Sequence, residues 1–169
     1  KIGIVVMIDR AVRIGMIGCG TQANVHFSAI KELTEQIATV AAVCDLDDER
    51  LTAACQLWPQ ARSTKDYHEM LSPGDLDLVI VATMPNTHEA MSLASLEAGA
   101  NVLCEKPFMM NATEAQNVLA KAETAGLRVQ LGTNMRYMAS SLYLRDLIAG
   151  GSIGTPVFAK AWGCHKNPP

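Results

Sequence analysis

Five continuous apolar runs are separated by more polar stretches along this chain. The runs cover residues 12–17, 37–44, 76–82, 101–104 and 127–131, and residues 61–64 are a shorter candidate of the same kind. Continuous rather than alternating apolar residues are typical of parallel strands that are buried on both faces. The pattern therefore predicts five such strands, with residues 61–64 as a short edge strand.

Stretches with recognisable helix ends lie between these runs. The predicted helices are bounded by Asp47 and Leu57, by Asn86 and Gly99, and by Asn111 and Gly126. The two asparagines are each followed three residues later by a glutamate, the pattern of a capping box, and glycine just past a helix accepts the left-handed turn. Alternating strands and helices joined by right-handed crossovers predict an α/β fold, a doubly wound, mostly parallel sheet of the Rossmann type.

After residue 131 the pattern changes. Residues 137–149 predict one helix that ends at Gly150 and Gly151, and residues 156–162 predict a strand with alternating apolar positions. A single strand without a partner is not stable by itself. We therefore expect this strand either to join the edge of the main sheet or to begin a second domain.

Composition excludes several classes of partner. The chain has 169 residues, 49 % of them hydrophobic and 5 % aromatic, with a net charge of −3 and no cluster of basic residues. Neither the charge nor the aromatic content suits a nucleic-acid partner. Residues 2–8 are apolar but too short to cross a bilayer, so we expect no membrane partner either.

The five cysteines, at positions 19, 44, 55, 104 and 164, are odd in number and form no Cys-x-x-Cys pair. A disulfide framework and a zinc site are both poor interpretations of this spacing. Small buried thiols in a reducing environment fit better, so we expect a cytoplasmic protein without a metal site.

A glycine turn follows the first apolar run. Gly18, Gly20 and Ala23 have the spacing of the dinucleotide fingerprint, with Thr21 and Gln22 between them. The first glycine permits the tight turn, the second lets the backbone approach a pyrophosphate, and the alanine lets the helix pack on the strand. A glycine-rich turn without a ligand is the alternative, because the motif alone is weak evidence.

Asp45 ends the second predicted strand, 22 residues after Ala23. A carboxylate at that position accepts hydrogen bonds from the adenosine ribose and repels a 2′-phosphate, so NAD is expected as the cofactor and NADP is disfavoured. The alternative is that Asp45 only begins the turn into the helix capped by Asp47.

The loop after the 76–82 run is expected to lie beside the glycine turn. It contains Thr83, Pro85, Asn86 and His88, of which the last two could donate hydrogen bonds to a cofactor. Asn86 has the competing role of capping its helix, and His88 has the alternative of an ordinary helix-surface residue.

Glu105-Lys106-Pro107 follows the 101–104 run. A lysine at the carboxyl end of a strand in an open α/β sheet sits where such folds bind ligands. This placement predicts that Lys106 is a proton-transfer group facing the reacting carbon of an oxidoreductase. The alternative is that Lys106 only forms an ion pair with Glu105.

Residues 77–88 and 96–107 resemble two signatures of the glucose–fructose oxidoreductase/inositol dehydrogenase (Gfo/Idh/MocA) family. Residues 132–137 and 151–154 resemble the next two signatures of that family in the same order, so the match extends over about residues 11–162. The resemblance implies an NAD-dependent dehydrogenase that moves a hydride between a nicotinamide and a secondary hydroxyl of a sugar, polyol or cyclic alcohol.

The resemblance also implies roles for individual residues. Lys106 would be catalytic, beside the nicotinamide and the substrate hydroxyl, and its bond to Pro107 would be cis. The cofactor would be held by Gly18, Gly20, Thr21, Gln22, Ala23, Asp45, Thr83, Pro85, Asn86, His88, Glu105, Lys106, Asn134 and Arg136. Glu105 would lie at the nicotinamide ribose, and Asn134 and Arg136 would border the nicotinamide pocket.

Members of this family are generally about twice as long and carry an aspartate and a histidine in a second α/β domain. We therefore expect an unassigned extension (1–10), a dinucleotide-binding domain (11–133) and the start of a truncated substrate domain (134–169), with His165 not matching the family's histidine. The family also implies a homo-oligomer in full-length form, and we expect residues 1–169 alone to be inactive.

Two other functions compete with a dehydrogenase. A non-catalytic nicotinamide sensor of the same fold would need no residue like Lys106. A glycine-turn domain that binds a different nucleotide or a methyl donor is the other alternative, and it would not explain the presence of residues 105–107.

Overall fold

The computed structural model describes residues 10–33 and 35–161. The expectations for residues 2–8, for Trp162 and for His165 lie outside the described residues. Six parallel strands form one sheet: β1 (Val12–Ile17), β2 (Ala38–Cys44), β3 (Arg62–Thr64), β4 (Leu78–Val81), β5 (Asn101–Cys104) and β6 (Val129–Leu131). Their order is β3-β2-β1-β4-β5-β6, which confirms the doubly wound sheet and places β3 at an edge, as expected.

Within the described residues, five helices connect the strands: α1 (Thr21–Glu32), α2 (Asp48–Leu57), α3 (Tyr67–Leu71), α4 (His88–Glu97) and α5 (Ala112–Ala125); a further helix, α6 (Ala139–Ala149), follows β6. Two of the predicted caps are confirmed. The Asp47 carboxylate accepts the N–H groups of the first turn of α2, and Asn111 Oδ1 accepts the Glu114 N–H at 3.0 Å. Gly126 ends α5 with φ 66°, in the left-handed region that glycine adopts freely.

The predicted cap at Asn86 is wrong. A 3₁₀ turn over Pro85–Thr87 precedes α4, and neither it nor α4 receives a side-chain cap. Proline fixes its own φ near the helical value, so the turn starts at Pro85 and carries Asn86 past the capping position. Glu89, the expected second half of the cap, accepts a hydrogen bond from Asn117 instead. Asn86 is therefore exposed with no recorded hydrogen bond in the described part of the chain.

The core has one layer on each face of the sheet. Alternate residues of β1 separate the two: Ile14 and Met16 pack with α1 and α2, and Ile17 packs on the opposite face. Phe27 and Trp58 fill the first layer, with their rings 6.4 Å apart. Burial of both faces explains why the strand sequences are continuously apolar.

Some predicted strands are longer than the hydrogen-bonded ladders. The runs 37–44, 76–82 and 127–131 exceed the strands β2, β4 and β6 by one to three residues. Leu76 shows the reason, since it lies before β4 and yet is buried against Gly15 of β1. Hydrophobicity marks what is buried, and burial continues into the loops that flank a strand.

The chain divides into two units, one through Gly132 and one from Thr133. In the second unit the predicted 137–149 helix begins late: a 3₁₀ turn covers Asn134–Tyr137, Met138 is extended, and α6 starts at Ala139. The predicted strand 156–162 is wrong over its described part. Residues 156–161 form no strand, and Val157 is 96 % exposed. An isolated extended segment needs a hydrogen-bonded partner to become a strand.

Ion pairs hold together the edge of the sheet where the strands begin. Asp75 accepts a bidentate pair of hydrogen bonds from Arg62 at 2.8 and 2.9 Å, and one from Arg13 at 2.6 Å. Asp77 binds Arg10 in the same way. The hydrogen bonds that Asp75 accepts, first those from Arg62 and then that from Arg13, lower its pKa to about 2.

We expect acid to weaken the fold through Asp75. Its pKa in the folded state lies below the value near 4 of an unfolded chain, so its stabilisation is present above pH 4 and is lost as the pH falls toward 2. The carboxylate is about one-third exposed, which limits the effect to about 1 kcal/mol. Urea unfolding at pH 5 and pH 2.5 should show a smaller pH-dependent loss for Asp75→Asn than for the parent. Asp48→Asn, at an exposed ion pair, serves as the control and should keep the parent's loss.

Candidate functional site

The carboxyl ends of β1, β2, β4 and β5 meet at one edge of the sheet, where a doubly wound fold binds its ligands. Gly18 follows β1 with φ 88° and donates its N–H to the Cys44 carbonyl at 2.8 Å. A Cβ added at Gly18 would stand 2.7 Å from the Ala82 carbonyl oxygen and 2.8 Å from Thr83 Cγ2. The turn that the sequence predicts therefore requires glycine at position 18.

The N-terminus of α1 is open. Gly20 precedes the helix without a side-chain cap, and the first turn contains no acidic residue. A Cβ at Gly20 would meet only the Arg50 guanidinium, at 3.6 Å, so the space above the turn is free. Thr21 is exposed beside it, and Ala23 is fully buried against the sheet, as the fingerprint requires. Uncapped N–H groups and the helix dipole make this end suited to an anion.

Asp45 lies at the end of β2, next to the glycine turn. Its Oδ2 accepts the Cys19 N–H at 2.7 Å, and its Oδ1 accepts the Asp47 N–H at 3.0 Å. The carboxylate thus joins the glycine turn to the start of α2 while it remains half-exposed. Asp45 does begin the turn into α2, as the alternative interpretation held, and the same carboxylate is available to a ligand.

The loop after β4 also reaches this edge. Thr83 is half-buried, and its hydroxyl hydrogen-bonds that of Thr87 at 2.8 Å. Pro85 is half-buried and Asn86 is exposed. Of this loop, Asn86 offers the most accessible hydrogen-bonding side chain.

His88 is fully buried, so the alternative of a helix-surface residue is wrong. Its Nδ1 lies 3.0 Å from the Pro107 carbonyl and 3.2 Å from the Phe108 carbonyl, and its Nε2 lies 3.2 Å from the Thr83 carbonyl. The ring is enclosed by protein in this conformation. It joins the loop after β4 to the loop that follows β5, and so fixes the backbone next to Lys106.

Lys106 is exposed at the end of β5, and the Lys106–Pro107 peptide is cis, as expected. Within the described residues its ammonium makes no recorded ion pair, so the alternative of an ion pair with Glu105 is not what the structure contains. Lys106 meets Glu105 only through its backbone N–H, 3.1 Å from Oε2. The ammonium therefore remains available to a ligand at the carboxyl edge.

Glu105 is 4 % exposed and is held by helix α1. Its Oε1 accepts hydrogen bonds from His26 Nε2 at 2.8 Å and from Gln22 Nε2 at 3.2 Å. Sequence reasoning placed Gln22 in the glycine turn and missed His26. The available signal was their i, i+4 spacing, which puts both side chains on one face of the helix.

Asn134 and Arg136 belong to the second unit. Both are exposed residues of the 3₁₀ turn Asn134–Tyr137, and the Arg136 N–H bonds the Thr133 carbonyl at 3.1 Å. Their expected place at a nicotinamide pocket stays a prediction.

The thiols at this edge are unreactive. Cys19, Cys44 and Cys104 are buried and free, and Cys55 is half-buried. Burial raises the pKa of Cys19 to about 12 and those of Cys44 and Cys104 to about 11, so these thiols stay protonated near neutral pH. The prediction of small buried thiols is confirmed for those three residues, Cys55 is only partly buried, and Cys164 lies outside the described residues.

The site thus presents an uncapped helix N-terminus, a carboxylate at Asp45 and an exposed ammonium at Lys106 along one edge. Among the described residues, no three or more His, Cys, Asp or Glu side chains gather to hold a metal ion. None of the helices over the described ranges has both the length and the apolar content to cross a membrane. Such an edge is suited to a phosphate-containing ligand with a polar reacting group near Lys106.

Comparison with known proteins agrees with this geometry. The model of the oxidoreductase family with an NAD-binding Rossmann fold, GFO_IDH_MocA, matches residues 12–133. Inositol 2-dehydrogenase of Klebsiella pneumoniae is 33 % identical over 159 residues, which are 93 % of this chain and 46 % of that protein. D-apiose dehydrogenase of Paraburkholderia graminis is 32 % identical over 145 residues, 86 % of this chain and 38 % of that protein.

Solved structures give the same result. The WlbA dehydrogenase of Bordetella pertussis, in complex with NADH and UDP-GlcNAcA, superposes with a TM-score of 0.81 at 27 % identity, over 88 % of this chain and 42 % of that one. An oxidoreductase of Agrobacterium radiobacter, in complex with NAD⁺, L-tartaric acid and magnesium, gives 0.80 at 26 % identity, over 86 % and 42 %. The chain spans less than half the length of the curated relatives it matches.

Proposed function

The chain belongs to the Gfo/Idh/MocA family of oxidoreductases with an NAD-binding Rossmann fold, and on that premise we propose that it is the cofactor-binding part of a dehydrogenase. The substrate is a secondary alcohol of a sugar, a polyol or a related cyclic alcohol. Relatives named for inositol and D-apiose support that substrate class.

One observation carries the proposal: an open glycine turn, the Asp45 carboxylate and a lysine without an ion pair among the described residues lie along the same edge of the sheet. The turn fits a dinucleotide because a Cβ at Gly20 would occupy the space above the helix end. Asp45 suits an adenosine ribose because a hydrogen bond from the Cys19 N–H holds its carboxylate beside the glycine turn. Lys106 favours a dehydrogenase over a sensor, because a sensor has no use for an exposed lysine at this position.

A nicotinamide dinucleotide, when bound, supplies the carbon that accepts a hydride. The chain's own residues bind and position it. The N-terminal N–H groups of α1 would hold the pyrophosphate, and Asp45 would accept hydrogen bonds from the adenosine ribose hydroxyls. Lys106 would take up the hydroxyl proton as the substrate carbon gives up its hydride, and would return that proton in the reverse direction.

The remaining expectations belong to the same proposal. Residues 11–133 form the dinucleotide-binding domain, and residues 134–169 form the connection to a substrate domain, which the division between Gly132 and Thr133 supports. Glu105 lies at the nicotinamide ribose, and Asn86, Asn134 and Arg136 line the cofactor. The full-length protein is a cytoplasmic homo-oligomer that uses small molecules rather than nucleic acid.

Dinucleotide binding by the chain tests the proposal. Gly20→Ala should lower the affinity for NADH at least about tenfold, because a methyl group would hold the pyrophosphate away from the helix end. Its thermal unfolding should hardly change, since the nearest neighbour of that methyl is the mobile end of Arg50. NADH fluorescence titration measures the affinity, and Ser28→Ala on the exposed side of α1 is the control. No binding of NADH or NAD⁺ by the parent would refute the proposed function.

Asp45 should set the choice between NAD and NADP. We expect the parent to bind NAD more tightly, and Asp45→Asn to narrow that preference about tenfold by removing the charge that repels a 2′-phosphate. Asparagine keeps one oxygen as an acceptor for the turn. Asp47→Asn is the matched control, because asparagine caps a helix equally well and should leave the preference unchanged. Tighter binding of NADP by the parent would show that the role given to Asp45 is wrong.

A further inference from the structure

A buried carboxylate lies beside the proposed reaction centre and is not used by the proposed mechanism. Glu105 is 4 % exposed, and both of its oxygens accept hydrogen bonds from the chain. Burying an ionised carboxylate without hydrogen-bond partners costs several kcal/mol, and these donors supply such partners at Glu105.

The carboxylate has little room to move. A Cβ at Gly132 would lie 2.9 Å from Glu105 Oε1 and 3.1 Å from its Cδ, so that glycine packs directly on the carboxyl group. His26 and Gln22 approach Oε1 from α1, and the Lys106 N–H approaches Oε2. Glu105 thereby connects the helix of the glycine turn to the backbone of Lys106.

Among the side chains that bind this carboxylate, His26 is the only one of a type that occurs in both a neutral and a charged form in proteins. Its Nε2 lies 2.8 Å from Glu105 Oε1, and its side chain is only partly exposed. The hydrogen bond persists in both protonation states, because neutral imidazole can carry its proton on Nε2. The net charge of the pair, however, is −1 with neutral His26 and zero with protonated His26.

We propose that His26 is a positioning residue for Glu105, and that the charge of the His26–Glu105 pair sets the preference of this site for oxidised over reduced nicotinamide. The inference rests on the proposed function, which places Glu105 beside the nicotinamide ribose. A nicotinamide ring is positive in NAD⁺ and neutral in NADH. A pair with a charge of −1 favours NAD⁺, and a neutral pair does not.

Other charged groups near the pair do not produce the same effect. Cys104, at the end of β5, stays protonated because burial raises its pKa to about 11. Lys106 is exposed and adjoins Glu105, and it is the same in the parent and in every variant used below. Gln22, the other side chain from α1, does not titrate. A dependence on pH that disappears with His26 therefore belongs to the His26–Glu105 pair.

The test is the ratio of NAD⁺ to NADH affinity between pH 5.5 and 8.5, from NADH fluorescence and its displacement by NAD⁺. In the parent the ratio should rise about 3- to 10-fold with pH, the scale of one unit charge acting across a partly solvated site. In His26→Gln, which keeps a donor but cannot titrate, the rise should fall below about twofold. Thermal unfolding at each pH establishes that every variant is folded over this range.

Two controls separate charge from packing. Gln22→Ala removes a hydrogen bond to the same oxygen and should keep the parent's rise even if both affinities fall. His68→Gln removes an exposed histidine from α3 and should change neither quantity. A parent ratio that does not vary with pH, or an undiminished rise in His26→Gln, would overturn the inference while leaving the proposed function intact. Binding of neither dinucleotide would overturn both.

Discussion

Replacing Gly18 with alanine is expected to cost about 2–5 kcal/mol of unfolding free energy and to abolish measurable dinucleotide binding. The φ of 88° costs an L-residue about 1–2 kcal/mol, and the added methyl would overlap the Ala82 carbonyl at 2.7 Å, which adds about 1–3 kcal/mol. The Ala82 carbonyl is held in place, since Ala82 directly follows β4 and its N–H donates to the Ile17 carbonyl. The turn must shift, and it carries with it the N-terminal end of α1, where we propose that the pyrophosphate binds.

Gly126→Ala is the matched control for this experiment. Gly126 has φ 66°, also left-handed, but a Cβ there meets nothing within 4 Å. It should cost only about 1–2 kcal/mol, the backbone term alone, and should leave NADH affinity unchanged. Urea unfolding and NADH titration of both variants give the comparison. Equal costs at the two positions would show that the contact with Ala82 does not matter, and normal NADH binding by Gly18→Ala would show that the turn tolerates the shift.

Replacing Lys106 with alanine is expected to lower kcat roughly 100-fold or more while dinucleotide affinity changes little. A positioned proton-transfer group contributes about 10²–10⁴-fold to rate, and the exposed ammonium forms no recorded ion pair in the described chain that its loss would leave broken. The measurement is turnover of sugars and polyols by the longest natural form of the protein, beside NADH titration. Lys106→Arg should be nearly as slow, because arginine keeps the charge but does not give up its proton.

Lys121→Ala is the control lysine. Lys121 lies on α5 and pairs with Glu97, away from the glycine turn and Lys106 in sequence and on a different element, and its loss should leave kcat unchanged. If Lys106→Ala kept near-normal kcat on a verified substrate, Lys106 would not be the proton-transfer group. A large loss of NADH affinity with unchanged kcat would instead make it a cofactor ligand.

The sequence was sufficient for the parts of this protein that depend on local rules. Continuous apolar runs predicted the parallel strands because burial on both faces leaves no polar side to alternate with. Asp47 and Asn111 predicted their helix starts because an N-cap is a contact between residues two or three apart. Gly18 and Gly20 predicted the turn because its shape depends on missing Cβ atoms. The order of these elements predicted that the turn, Asp45 and Lys106 would share one edge.

The tertiary structure decided what depends on residues distant in sequence. The strand expected at residues 156–162 does not form over its described part, because a strand exists only with a partner and sequence cannot supply one. His88 is enclosed by the Thr83, Pro107 and Phe108 carbonyls rather than lying on a helix surface. His26 reaches Glu105 across 79 residues, and its i, i+4 spacing from Gln22 predicts a shared helix face but does not identify Glu105 as the partner. The fold class and the residue types at the site follow from short-range rules. The burial and the hydrogen-bond partners of each side chain depend on which residues distant in sequence pack against it.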